Sequence, residues 1–122
     1  MNPVDVLRPD CLDGRVALVT GGGSGIGRAT ALQLARLGAQ VVVMGRRAEN
    51  LAETAAIGMQ EGTLPITSVA VDLREFDQVD AALDTVLGQH GRIDLLVNNA
   101  GGQFLAPAES VSANGFRAVT RL

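Results

Sequence analysis

Eight residues, Thr20-Gly21-Gly22-Gly23-Ser24-Gly25-Ile26-Gly27, join an apolar run, Val16-Ala17-Leu18-Val19, to an amphipathic stretch over residues 28–37. Strand, glycine turn and helix in that order put unpaired backbone N–H groups at the positive end of a helix dipole. Such a turn holds phosphate groups without any basic side chain. The spacing Gly21-x-x-x-Gly25-x-Gly27 in this setting reads as a pyrophosphate loop; the alternative is a glycine-rich turn that binds nothing. No Lys-Ser/Thr pair follows Gly27, so the loop is not a P-loop.

Period and punctuation make the rest of the chain alternate strand and helix. Strands are expected over residues 15–20, 40–44, 66–71 and 93–98. Helices are expected from residue 24, over residues 48–60 and 75–89, and from residue 112. Gly27, Ala31, Leu34, Ala35 and Gly38 recur on one face of the first helix, small enough for it to lie close on a sheet. Gly38 then supplies a left-handed stop. Apolar strands, each followed by a crossover helix, imply an α/β fold with a parallel sheet covered on both faces. Right-handed crossovers give the Rossmann-type order 3-2-1-4, with a topological switch between strands one and four. The ligand crevice then lies at the carboxyl ends of the strands, where the glycine loop, Gly45-Arg46-Arg47, Asp72-Leu73 and Asn98-Asn99-Ala100-Gly101-Gly102 converge. There is no repeat, low-complexity tract or interior linker, and residues 1–122 read as one domain.

Composition removes several classes of function. A net charge of −3 argues against a nucleic-acid surface. No apolar stretch approaches the roughly 20 residues of a membrane span, and residues 1–13 lack the apolar centre of a secretory signal. The single cysteine, Cys11, permits no internal disulfide and fits a reducing compartment, so a soluble, cytoplasmic protein is expected. A zinc site is not expected from one cysteine and one histidine. The serines have no histidine partner for nucleophilic catalysis, and His90, before Gly91, reads as a helix-end residue.

Where a carboxylate would accept a free ribose 2′-hydroxyl, after the second strand, this chain has Arg46 and Arg47. Guanidinium groups there match a 2′-phosphate, which favours NADP(H) over NAD(H). The alternative is that both are solvated residues at the start of helix two, with Glu49 a first-turn acid favoured by the dipole. The missing acid also disfavours a methyltransferase. Asp72 can accept a hydrogen bond from an adenine amino group with Leu73 against the ring, or it can cap helix three in a capping-box spacing with Glu75. In Asn98-Asn99-Ala100-Gly101, one amide can tie adjacent strands, and the small pair that follows allows a ribose to approach; the alternative is a plain polar turn.

Taken together, these residues resemble the amino-terminal half of a short-chain dehydrogenase/reductase from residue 12 to residue 122. The resemblance implies a dinucleotide-binding Rossmann domain, truncated after about four strands. By it, the main chain of Ser24, Gly25, Ile26 and Gly27, after Gly21, binds pyrophosphate. Asp72 and Leu73 bind adenine; Asn99, Ala100 and Gly101 line the adenosine ribose; Asn98 is more structural. Gly102-Gln103-Phe104-Leu105-Ala106-Pro107-Ala108-Glu109 and Ser112-Ala113-Asn114-Gly115-Phe116 resemble the branch that reduces trans-2-enoyl-CoA and 2,4-dienoyl-CoA thioesters, which implies a fatty acyl-CoA substrate. Family members are usually homo-oligomers, and their last helix here would serve subunit packing. In the whole sheet strand four is central; here it would be an edge, which favours association of the isolated chain.

The family's hydride transfer uses serine, a Tyr-x-x-x-Lys pair and an asparagine in the helix after strand four. The tyrosine moves the substrate proton and the lysine lowers its pKa. This chain has no tyrosine and no lysine, and Asn114 lies too early to stand for that asparagine. A non-catalytic dinucleotide-binding module is therefore the rival to an oxidoreductase. The 122-residue chain alone is expected to transfer no hydride. Substrate-dependent NADPH oxidation by the purified chain, above a matched blank, would contradict this.

Overall fold

The computed structural model describes residues 6–102 and 106–120. Strand β1 (Val16–Thr20) leads to helix α1 (Gly25–Arg36), β2 (Gln40–Gly45), α2 (Ala48–Gln60), β3 (Thr67–Ala70), α3 (Phe76–His90) and β4 (Leu95–Val97). A short 3₁₀ turn (Ala108–Ser110) and helix α4 (Ala113–Thr120) complete the described chain. All strands are parallel, in the order β3-β2-β1-β4. This is the doubly wound arrangement expected from the alternation of elements.

The two central strands carry no polar alternation because both of their faces are covered. Ala17, Val19, Val41 and Val43 point to the side packed by Ala31, Leu32 and Ala35 of α1 and Leu51 of α2. Leu18, Val42 and Met44 point the other way, against Val71 and Ala82 and Val86 of α3. Alanines on α1 let its axis approach the sheet, and Leu34 packs against the same core only partly buried. The helix ends at Gly38, whose φ of 96° is in the left-handed region, and an added Cβ there would run into the Asp13 carboxylate.

Strand ends differ from expectation for identifiable reasons. β4 is shorter than residues 93–98. At its start Asp94 N donates to Val16 O (2.8 Å), while the Asp94 carboxylate accepts from Val16 N (2.8 Å), so a side chain takes the place of a ladder carbonyl. At its end Asn99 N turns to the Thr20 hydroxyl (3.0 Å). β3 is one residue shorter at each end, although Val71 N still donates to Gly45 O (2.8 Å). Helix α4 opens on Ser112, whose Oγ accepts from Gly115 N (2.9 Å). The continuation of that helix to residues 121–122, like Gln103, Phe104 and Leu105, lies outside the described residues.

Burial is uneven across the sheet. Leu18 and Leu96 are register partners, yet Leu18 is 2% exposed and Leu96 58%. Leu18→Ala is expected to destabilise the fold by about 3 kcal/mol through lost transfer energy and a cavity. Leu96→Ala is expected to shift stability by no more than about 0.5 kcal/mol. Denaturant melts of the two variants check the contrast, and comparable losses would contradict it.

Candidate functional site

β1 delivers the chain to the glycine loop at Thr20, a buried residue whose hydroxyl joins two strand ends. It accepts from Asn99 N (3.0 Å) and Ala100 N (3.0 Å), and it donates to Val97 O (3.3 Å). The Asn99 side-chain amide donates to Thr20 O (3.2 Å) and Gly21 O (3.3 Å). A tie between strands was expected from one amide of the Asn98-Asn99 pair, with Asn98 the structural member. Asn99 forms it instead, and Asn98 is exposed, facing a groove with Leu18 and Leu96. The asparagine that continues past the pleat can reach back over the end of β1.

Beyond Thr20 the loop folds so that α1 begins directly over it. An added Cβ on Gly27 would collide with Gly21 O and lie 2.5 Å from Asn99 Nδ2, so only glycine lets the helix start there. Ser24 is extended (φ −162°, ψ 168°) and its side chain caps nothing. The first backbone bond of the helix runs from Arg28 N to Ser24 O (3.1 Å). The amides of Gly25, Ile26 and Gly27 thus lie ahead of the helical ladder, at the positive end of the dipole. Gly25 has φ 52° with nothing within 4 Å of an added Cβ, so a ligand can approach the main chain closely. A donor set of this shape, open above and closed beneath, fits a pyrophosphate.

Two cavities flank the loop. One, of about 200 Å³, is lined by Gly21, Gly23, Ser24, Arg46, Arg47 and Asn50, among others. The second, of about 220 Å³, lies beside Val71, Asp72, Leu73, Ala100, Gly101 and Gly102. Gly21, Gly45 and Arg46 belong to both. Neither the Arg46 nor the Arg47 side chain forms an ion pair or hydrogen bond among the described residues, although Arg47 O accepts from Asn50 N (3.1 Å) and Leu51 N (3.2 Å). Arg47 occupies the position before α2, but its side chain does not cap the helix, and Glu49 is the first-turn acid as expected. Every residue expected at a cofactor site is therefore at this end of the sheet, with Asn99 contributing its amide to the loop rather than to open space.

Asp72 does not form a capping box. Glu75 occupies the N-cap position of α3 without a side-chain cap bond, and Asp72 N donates to Gln78 Oε1 (3.3 Å). Its carboxylate instead closes a tight turn on Arg74, accepting from Nε (3.1 Å), Nη2 (3.0 Å) and the backbone N (3.0 Å). The Arg74 guanidinium, first, and its backbone N–H, second, bring the Asp72 carboxyl down to about 2. An ionised acceptor thus faces the second cavity across the whole physiological range.

Two polar residues here gave no sign in the sequence pattern. Arg28 reads as one more charged position on α1, yet its guanidinium donates to Gly23 O (2.6 Å), Asn50 O (3.2 Å) and Thr54 Oγ1 (3.0 Å), and pairs with Glu53 (3.1 Å). Thr54, fully buried on α2, donates to Gly22 O (2.7 Å). No metal-binding cluster of His, Cys, Asp and Glu occurs among the described residues. His90 ends α3, with Nε2 3.4 Å from the Thr67 hydroxyl, away from the loop. No helix among the described residues is long and apolar enough to cross a membrane.

Comparison with known proteins places this geometry among relatives. The family described as short chain dehydrogenase matches residues 15–122. A peroxisomal 2,4-dienoyl-CoA reductase of Danio rerio is 38% identical over 117 residues, which is 96% of this chain and 39% of the relative. Among solved structures, the citronellol catabolism dehydrogenase AtuB of Pseudomonas aeruginosa PAO1 superposes with a TM-score of 0.88 at 45% identity, over 95% of this chain and 47% of that one. A metagenomic short-chain oxidoreductase in complex with NADP gives 0.82 at 40% identity, over 90% of this chain and 50% of that one. The chain thus spans half or less of the length of each.

The Asp72–Arg74 turn has a measurable signature. Its contribution to stability is complete above about pH 4, the ordinary range of an unfolded aspartate. It is lost as pH falls through about 2. Side-chain carboxyl NMR should show Asp72 still ionised at pH 3, and Arg74→Gln should return its midpoint toward about 3.9. A midpoint unmoved by that substitution would show that Arg74 does not hold the carboxylate.

Proposed function

Because the chain belongs to the short-chain dehydrogenase family, we propose that it is the dinucleotide-binding half of an NADP(H)-dependent oxidoreductase. The observation that carries this reading is the place of Arg46. It borders both cavities at the end of β2, unpaired, where the loop meets the Asp72–Leu73 wall. In this reading the amides of Ser24, Gly25, Ile26 and Gly27, with Gly21 beneath, hold the pyrophosphate. Asp72 accepts from the adenine amino group while Leu73 covers the ring, and Asn99, Ala100 and Gly101 border the ribose. Arg46, aided by Arg47, binds the 2′-phosphate. When bound, the cofactor would exchange a hydride with the substrate, and these residues would bind and orient it.

The 2,4-dienoyl-CoA reductase among its relatives supports an unsaturated acyl-CoA thioester as the substrate of the whole protein. Oligomerisation through α4, with Phe116 exposed, and a cytoplasmic location, with the free Cys11 thiol exposed, belong to the same proposal.

Arg46→Ala should weaken NADP binding by about 1.5–3 kcal/mol, the worth of a charge-assisted phosphate contact, while NAD binding barely moves. Calorimetric titration of both cofactors checks this. Equal losses for the two would show that Arg46 does not read the 2′-phosphate.

A further inference from the structure

Between the glycine loop and α2 lies a polar cross-brace that the binding of pyrophosphate leaves unexplained. The Gly22 carbonyl accepts from Thr54 Oγ1 (2.7 Å) and the Gly23 carbonyl from Arg28 Nη2 (2.6 Å). Arg28 Nε in turn donates to Thr54 Oγ1 (3.0 Å), so the two side chains form one unit. Thr54 is fully buried, and the Arg28 side chain is 22% exposed. The two bonds to carbonyls therefore lie where water does not replace them cheaply.

The consequence is stereochemical. In a planar trans peptide the C=O and the following N–H point in opposite directions. Drawing the Gly22 carbonyl toward Thr54 of α2 and the Gly23 carbonyl toward the Arg28 guanidinium turns the Gly23 and Ser24 N–H groups away from those partners. Neither N–H meets an acceptor among the described residues. Gly23 and Ser24 line the same cavity as Arg46 and Arg47. Gly23 can hold this position because it packs against α2, where an added Cβ would lie 3.0 Å from Asn50 Cβ. Glu53 sits 3.1 Å from the Arg28 guanidinium and offsets its charge, so Arg28 acts on the cavity through the loop rather than as a bare cation.

We infer that Arg28 and Thr54 are positioning residues for cofactor selectivity: as one unit they hold the Gly22–Gly23 peptide so that the Gly23 N–H joins Arg46 on a phosphomonoester, while the Ser24 N–H stays with the pyrophosphate. This rests on the NADP reading above and adds a cause for it located on the far side of the loop. It separates the phosphate group that the brace serves from the pyrophosphate, which uses the amides at the start of α1.

The test uses the 122-residue chain and two probes that differ only in the 2′-phosphate, adenosine 2′,5′-bisphosphate and adenosine 5′-monophosphate. Calorimetry gives the affinity ratio, and thermal melting confirms a cooperative fold for each variant. Thr54→Val, which alters no charge, should lower the ratio about tenfold, and Thr54→Ser should restore it. Arg28→Lys keeps the charge but loses the guanidinium fork, and it should lower the ratio as Thr54→Val does. If Thr54→Val does not melt cooperatively, Arg28→Lys against wild type gives the same reading. A preference for the bisphosphate in wild type that persists unchanged in folded Thr54→Val or Arg28→Lys would overturn the positioning role alone. A wild-type chain that binds both probes equally would overturn the NADP reading together with it.

Discussion

The Gly21 carbonyl accepts from the Asn99 amide at 3.3 Å and lies so close to Gly27 that an added Cβ there would collide with it. That contact joins the end of β1, the turn after β4 and the start of α1, and the arrangement of the crevice depends on it. A side chain on Gly27 would push the helix away from the strand end. Its unpaired amides and the positive end of its dipole would then point past the crevice. The Thr20 hydroxyl makes the junction rigid by serving two amides and one carbonyl at a buried position. A neutral hydroxyl with three partners at a buried position loses little on leaving water, whereas removing it would strand several polar groups at once.

Hydrophobic burial supplies the platform on which that junction sits. β1 and β2 place alternate residues on two separate cores, one under α1 and α2 and one under α3. The helices carry small residues where they cross the strands, so the sheet ends are brought within hydrogen-bonding distance of one another. Charged pairs then act at the two ends of the strands in different ways. At the amino end the Asp94 carboxyl is kept below the ordinary aspartate range by its hydrogen bond from Arg92 first and from Val16 N second, with Arg15 nearby. At the carboxyl end Asp72 is held by Arg74. Exposed ion pairs contribute little to stability. Their effect is to fix the direction of an ionised acceptor, along the β1–β4 seam in one case and toward the crevice in the other.

The same loop presents two faces with separate chemistry. Its amides at the start of α1 form a cradle for one anionic group. Its carbonyls at Gly22 and Gly23 are engaged by Thr54 of α2 and Arg28 of α1 respectively. Arg46 lines both of the cavities that flank the loop; in the proposed function, discrimination between cofactors and retention of the common pyrophosphate would rest on different bonds. Such a division allows selectivity to change without loss of the cofactor.

The amino-acid sequence by itself determined the element order, the parallel sheet in order β3-β2-β1-β4, and the gathering of the glycine loop, Arg46, Asp72 and Asn99 at one end. Those features follow from local signals: apolar runs too continuous for one-sided burial, helices ended by glycine, and the one handedness that crossovers adopt. Only the tertiary structure decided which of several permitted partners each polar group takes. Asn99 rather than Asn98 bridges the strands because it reaches the end of β1. Asp72 closes a turn on Arg74 although its spacing to Glu75 matches a capping box equally well. Arg28 and Thr54 lie 26 residues apart and resemble any polar positions on two amphipathic helices until packing brings them under the loop. Periodicity records which face of an element is buried; hydrogen-bond pairing across elements depends on distances that no local pattern contains.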